Sequence, residues 1–225
     1  FIITEDADFE AAIHYGVEDV MANTGQTCMA LTRMLLPQSR YEEGVKLAKQ
    51  FAEELVVGDP KDPGTFIGPM SSERQKQQVI SYIKKGIDEG AKLVTGGIEM
   101  PEGITKGAYV KPTVFANVNN NMTIAREEIF GPVLCLIPYQ NEGEAIEIAN
   151  DTPYGLSSGV WAGGRSRAFE IGRHLRAGIV HLNGAGGMYF DAPFGGYKQS
   201  GNGREWGDEG LFEFTEIKSL VFNEP

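Results

Sequence analysis

Sulfur chemistry is scarce in this chain: 225 residues carry two cysteines, Cys28 and Cys135, beside three histidines, His14, His174 and His181. There is no Cys-x-x-Cys pair and no His-x-x-x-His spacing. A disulfide scaffold and a structural metal site are both disfavoured, and a reducing compartment, the cytoplasm, is the natural home. No apolar run approaches the roughly eighteen residues that a membrane helix needs. Basic residues are also in short supply, 20 Lys and Arg against 31 Asp and Glu, which leaves a net charge of −11. With no basic stripe and no interleaved aromatic and basic patch, phosphate-backbone binding is a poor match. Nucleic acid, membrane and metal are therefore not expected partners.

What the chain does have is the composition of an ordinary globular protein, 41% hydrophobic and 23% charged, and enough length to bury one large core. Apolar residues Phe9, Ile13, Val17 and Met21 recur every four positions and predict a helix over Asp6–Ala22, capped by Asp6 or Thr4. Phe1–Thr4 reads as the end of a strand, and Leu31–Leu36 as the next one. An amphipathic helix is expected at Tyr41–Val56 and another at Ser71–Glu89, with Val79, Ile80 and Ile83 inside. Strands follow at Ala91–Thr95, at Tyr109–Val118 near an edge because of Pro112, and at Pro132–Pro138, a continuous apolar run of the kind a buried parallel strand needs. A helix at Gly143–Asn150, a strand at Ser157–Ala162, a helix at Ser166–Leu175 and a strand at Gly178–Leu182 continue the alternation. The pattern is α/β, with a mostly parallel twisted sheet flanked by helices. The tail beyond Leu211 ends in an extended stretch able to pair with another sheet.

Three segments carry chemistry. Cys28 lies in Asn23-Thr24-Gly25-Gln26-Thr27-Cys28-Met29-Ala30, on a bend between the first helix and a strand. There its sulfur and its own main-chain N–H can face one spot, which suits a thiolate nucleophile that also holds a developing oxyanion. The plain alternative is a small buried hydrophobe among Met29, Ala30 and Leu31. No local base serves it: in a regular helix His14 lies roughly 13 Å along the axis from Asn23, and this weakens a Cys/His hydrolase. In Arg126-Glu127-Glu128-Ile129-Phe130-Gly131-Pro132-Val133 the glycine and proline set a turn into the buried strand, and that alone accounts for the segment. The functional alternative is one carboxylate gripping two ribose hydroxyls, as dinucleotide sites do, with Phe130 facing a ring. The third segment runs from Asn183-Gly184-Ala185-Gly186-Gly187 to Pro193-Phe194-Gly195-Gly196-Tyr197-Lys198-Gln199-Ser200-Gly201-Asn202-Gly203-Arg204-Glu205. Its dense glycines lack a phosphate-loop context and fit the shaped mouth of a pocket lined by Phe194 and Met188.

Taken together, Gly25-Gln26-x-Cys28, Glu127-Glu128-Ile129-Phe130-Gly131-Pro132 and Pro193-Phe194-Gly195-Gly196, in this order and over nearly the whole chain, resemble the catalytic half of the NAD(P)-dependent aldehyde dehydrogenase superfamily. The resemblance implies that Cys28 is the nucleophile and that its N–H is one oxyanion donor. It implies that Glu128 binds the nicotinamide ribose beside Phe130, that Glu205 assists a proton relay and that Asn183 belongs to the site floor. Met29, Met188 and Phe194 would line the substrate tunnel, and Arg204 and Glu216 would join subunit contacts. Met21 stands where the family more often has an aromatic.

The implied organisation is a catalytic domain over residues 1–210 and a C-terminal extended segment over 211–225 that builds a homo-oligomer. By the same resemblance the general-base glutamate, a side-chain oxyanion asparagine and most of the nucleotide-binding domain precede Phe1. The expected activity is oxidation of a small-molecule aldehyde to a carboxylic acid with NAD or NADP, the cofactor being held mainly outside these residues and the isolated chain binding it poorly and turning over little. Two other readings stay open, a non-catalytic oligomerisation or interaction module of the same fold and a cysteine acyltransferase or hydrolase.

Overall fold

The computed structural model describes residues 1–187 and 189–223. Seven strands form one sheet: β1 (Ile2–Ile3), β2 (Arg33–Pro37), β3 (Lys92–Thr95), β4 (Thr113–Ala116), β5 (Val133–Tyr139), β6 (Ser157–Trp161) and β7 (Ile179–Leu182). Their order is β3-β4-β5-β2-β1-β6-β7. Every pairing is parallel except β3 with β4, which is antiparallel. The helices are α1 (Phe9–Met21), α2 (Tyr41–Glu54), α3 (Glu73–Asp88), the short α4 (Thr123–Arg126), α5 (Glu142–Asn150), α6 (Arg165–Gly172) and α7 (Gly207–Phe212). The mixed α/β architecture with a mostly parallel sheet is the one expected from the alternation of helical and strand patterns.

The central strands are buried on both faces, and their side chains divide between two cores by the strand's two-residue period. Ile3, Met34, Leu36, Leu134 and Leu136 face α1 and α2, packing with Ile13, Val17, Val45 and Phe51. Ile2, Leu35, Val133, Cys135 and Ile137 face the other way, onto Val79 and Ile83 of α3, Ala145 of α5 and Ile171 of α6. This two-sided burial explains why β2 and β5 read as unbroken apolar runs rather than alternating ones.

Several boundaries differ from the sequence expectation, each for a local reason. The cap of α1 is Asp8, whose Oδ1 accepts from the Ala11 N–H at 3.3 Å, rather than Thr4 or Asp6. Asp6 is engaged elsewhere: it accepts from the Thr4 hydroxyl at 2.5 Å and the Gly163 N–H at 3.2 Å, and pairs with Arg167 at 2.7 Å. The Thr4 hydrogen bond, with Gly163 and Arg167 behind it, holds its carboxyl below the usual aspartate range. The strand expected at Tyr109–Val118 shortens to Thr113–Ala116 and lies inside the sheet, with β3 as the edge. Pro112 precedes its first residue, so no ladder hydrogen bond is lost. At the C-terminus Leu211 and Phe212 belong to α7, and residues 213–223 have no regular structure and pair with no strand. No helix among the described residues is long and apolar enough to cross a membrane.

Candidate active site

The turn that carries Cys28 is built from strained backbone. After α1 the chain passes through three left-handed residues in a row, Asn23 (φ 52°), Thr24 (φ 58°) and Gly25 (φ 69°). Two of them carry a Cβ, a conformation that costs roughly 1–2 kcal/mol each and persists only where neighbours enforce it. Here they do. The Thr24 hydroxyl donates to Gly68 O at 3.2 Å, the Asn23 side-chain amide donates to Gln26 O at 2.9 Å, and Gln26 donates back to Asn23 O while accepting from the Ser71 N–H at 2.8 Å. The chain then turns tightly, Ala30 N–H to Thr27 O at 3.1 Å, with Cys28 and Met29 at its apex, and enters β2.

Cys28 is exposed, whereas Cys135 is buried in β5 with its thiol pushed up to about 12 by burial. The Cys28 main-chain N–H makes no hydrogen bond to another main-chain group among the described residues. The reading of Cys28 as a sealed hydrophobe therefore fails, because the residue is exposed and lines a cavity of about 370 Å³.

The same cavity is lined by Glu127, Glu128 and Phe130 from the turn before β5, and by Tyr154, Ser157 and Arg176 from the far side. What brings the two turns together is glycine against glycine. A Cβ added to Gly25 would sit 2.1 Å from both the carbonyl carbon and the oxygen of Gly131, so the two backbones approach as only glycine allows. Phe130 is itself left-handed (φ 56°). The Gln75 amide on α3 fixes it by donating to Phe130 O at 3.0 Å and Ile129 O at 3.4 Å.

The paired carboxylates are not equivalent. Tyr82, two turns beyond Gln75 on α3, donates to Glu127 Oε2 at 2.8 Å, and its phenol is pushed up to about 12 by burial and by that carboxylate. Glu127 is thus tied to the scaffold, and Glu128 is the one that reaches the cavity with no side-chain partner among the described residues. On the other wall the Arg33 guanidinium donates to Asn120 Oδ1 at 2.6 Å and to the carbonyls of Ile148 and Ala149 at 3.0 and 3.1 Å. Burial lowers its pKa, and these three hydrogen bonds hold Asn120 and the end of α5 beside the site.

The remaining sequence-derived candidates are spread over neighbouring ground. Phe194 and Glu205 form an isolated antiparallel bridge with two main-chain hydrogen bonds of 2.7 Å. Both line a second cavity of about 390 Å³ that adjoins the first through Leu156 and Ser200, which line both. Met29 is not among the residues that line either cavity, and its carbonyl accepts from the Ser157 hydroxyl at 2.6 Å. Asn183, left-handed at φ 49°, spends its Oδ1 on the Ala162 N–H at 2.9 Å and brackets the ends of β6 and β7. Met188 lies outside the described residues. Arg204 donates to the carbonyls of Gly196 and Gly203, and Glu216 is exposed. Of the histidines, His14 pairs with Glu18 on the surface at 3.5 Å and His181 bonds Ala185 O at 2.6 Å, so neither serves Cys28 as a base. Sequence reasoning missed Gln75, Tyr82 and Ser157. The first two could have been found as polar residues spaced seven apart on the inward face of α3, on the side of Val79 and Ile83.

The model of the aldehyde dehydrogenase family matches residues 1–220. The chain belongs to the aldehyde dehydrogenase family. Among relatives of this family, a 3-succinoylsemialdehyde-pyridine dehydrogenase from Pseudomonas sp. is 54% identical over 98% of this chain and 46% of its own length. A putative aldehyde dehydrogenase from Staphylococcus saprophyticus is 48% identical over the same shares. A cysteine-to-alanine mutant of aldehyde dehydrogenase C from Pseudomonas syringae, complexed with NAD+ and octanal, superposes with a TM-score of 0.95 at 48% identity, over 98% of this chain and 45% of that one. A Mycobacterium tuberculosis aldehyde dehydrogenase complexed with NAD+ matches at 0.95 and 49% identity, over 99% and 46%. The chain spans about half the length of the aldehyde dehydrogenases it matches.

Proposed function

We propose that the protein to which these residues belong oxidises an aldehyde to a carboxylic acid with NAD or NADP, and that Cys28 is its nucleophile. The observation that carries this reading is that an exposed cysteine on an enforced turn and an unengaged carboxylate, Glu128, open onto one cavity. The Cys28 thiolate adds to the carbonyl carbon to give a thiohemiacetal, whose oxyanion accepts from the unpaired Cys28 main-chain N–H. Loss of hydride converts it to a thioester, and water cleaves the thioester to release the acid and regenerate the thiol. The dinucleotide, when bound, supplies the hydride acceptor.

The residues present fit such a cofactor. Glu128 has both oxygens available for two adjacent ribose hydroxyls, and Phe130 is held by Gln75 in a conformation that presents it at the cavity. Because the chain spans about half the length of the aldehyde dehydrogenases it matches, residues 1–225 alone are expected to bind cofactor weakly and turn over little. Glu205 and Phe194 enter as lining of the adjoining cavity, suited to proton passage and to the tail of the aldehyde. Asn183 enters only through its bracket between β6 and β7.

The test is to measure aldehyde-dependent reduction of NAD and NADP by the full-length protein beside its Glu128→Gln variant, with calorimetric titration of NAD into both and into residues 1–225. The expected result is turnover by the wild type, and a rise of about tenfold in the KM for the dinucleotide in the variant with the aldehyde KM little changed. Absence of any aldehyde-dependent turnover would overturn the reading, and micromolar NAD binding by residues 1–225 would overturn the weak-binding part of it.

We also propose that residues 211–223 meet a second copy of the chain. Phe214, Ile217, Leu220, Val221 and Phe222 are between 79% and 99% exposed, a run of apolar surface that a soluble monomer rarely displays. Light scattering of the full-length protein is expected to give a dimer or higher species, and truncation after Phe212 a smaller one. A strictly monomeric wild type would remove the basis of this assignment.

A further inference from the structure

Two side chains outside the sequence-derived set grip the segment that leaves Cys28. From the start of β6, the Ser157 hydroxyl donates to the carbonyl of Met29 at 2.6 Å. From α1, Asp19 Oδ2 accepts from the Leu31 N–H at 2.9 Å. The two bonds come from different elements, β6 and α1, and fall on the first and third residues after Cys28, with Ala30 and its turn-closing bond to Thr27 between them. Ahead of Cys28 the chain is already fixed by the left-handed run at 23–25. Ser157 and Asp19 supply the matching constraint behind it.

Both groups are half-buried, so their bonds are shielded from water. Among the described residues Asp19 makes no ion pair within 4.0 Å, and one of its oxygens accepts from the Leu31 N–H. Its carboxyl is raised by burial, an energetic cost that the site bears while keeping the bond. Ser157 also lines the cavity that Cys28 faces, which puts its hydroxyl at the edge of the reacting space without pointing it there.

We propose that Ser157 and Asp19 are positioning residues that clamp the exit of the Cys28 turn and so set the direction of the sulfur and of the Cys28 main-chain N–H. The proposal rests on the reading of Cys28 as the nucleophile. A turn held at one end only can rotate its apical peptide groups. Because attack geometry and oxyanion contact are both sensitive to sub-ångström placement, a loosened exit lowers turnover more than it lowers binding.

The experiment uses the full-length protein and four variants, Ser157→Ala, Ser157→Thr, Asp19→Ala and Asp19→Asn. Three quantities are read: kcat with the KM for dinucleotide, the rate at which iodoacetamide alkylates Cys28 at fixed pH, and the thermal midpoint. The alanine variants are expected to lose about tenfold in kcat, to keep the dinucleotide KM within about twofold, and to shift the alkylation rate. The threonine and asparagine variants retain the hydroxyl donor and the acceptor oxygen, and are expected to recover most of both. A general loss of structure would instead move the midpoint and the dinucleotide KM together, with no rescue, and would overturn the proposal. Wild-type kcat and alkylation rate in Ser157→Ala would also overturn it, and that variant decides alone if Asp19→Ala does not fold. Should the wild type show no dehydrogenase turnover, the functional reading falls by itself, and the alkylation rates still decide whether the clamp exists.

Discussion

Replacing Cys28 by alanine is expected to lower aldehyde oxidation by the full-length protein by about 10⁴-fold or more, with the affinity for NAD essentially unchanged. The magnitude follows from the proposed role: a covalent nucleophile has no substitute within reach, and deletions of such groups cost the whole benefit of the two-step path. The selectivity follows from the geometry, because Glu128 and Phe130 are carried on a different turn, fixed by Gln75 and Tyr82, and none of these contacts touches the sulfur. Steady-state NADH formation and calorimetric titration of NAD on the same preparation measure the two quantities. Iodoacetamide supplies an independent check, since Cys135 is sealed in β5 and its thiol is far too basic to compete. Inactivation is expected to follow modification of Cys28 one for one, and a Cys28→Ala variant with turnover within about tenfold of wild type would remove Cys28 from the mechanism.

Gly25→Ala is expected to be a severely damaging single-methyl change at the site. Two costs add. A left-handed φ of 69° costs an alanine roughly 1–2 kcal/mol, and the new Cβ would meet the main chain of Gly131 at 2.1 Å, where no side-chain rotation gives relief. The expected loss is about 3 kcal/mol or more in denaturant unfolding, together with loss of cofactor affinity, because the clash drives apart the turns that carry Cys28 and Glu128. Gly103→Ala is the matched control. Its φ of 75° carries the same conformational cost, but a Cβ there meets nothing within 4 Å. The control is expected to lose only the conformational share and to keep its cofactor affinity. Equal losses at both positions would show that the contact with Gly131 does not hold the site together.

Much of this was legible in the residues. The periodicities placed α1, α2 and α3 and the buried strands β2 and β5 to within a few residues, because each buries a continuous apolar surface that the local pattern records. The Gly25-Gln26-x-Cys28 segment and the Glu128-Ile129-Phe130-Gly131-Pro132 turn named the parts of the site that the structure brings together. Thr4 and Asp6 failed as caps because Asp6 is claimed by Gly163 and Arg167, partners more than 150 residues away that no local pattern contains. Asn183 and Glu205 lie off the Cys28 cavity for a related reason: their surroundings are fixed by where β6, β7 and the 193–205 segment settle, and the motif letters do not encode that.

By itself the sequence determined the type of the longer elements, the buried character of β5 and the identity of the nucleophile candidate, since these depend on short-range pattern and on side-chain chemistry, whereas the short helices α4 and α7 were not foreseen. Only the tertiary structure decided that these turns converge on one cavity. Open parallel sheets usually bind ligands beyond their carboxyl ends, yet here Cys28 precedes β2, Glu128 precedes β5 and Ser157 begins β6, so the cavity lies at the amino ends. The reason is the meeting of Gly25 with Gly131, reinforced by Gln75, Tyr82 and Ser157. These contacts join residues tens to more than a hundred positions apart, and a one-dimensional reading holds no term for them.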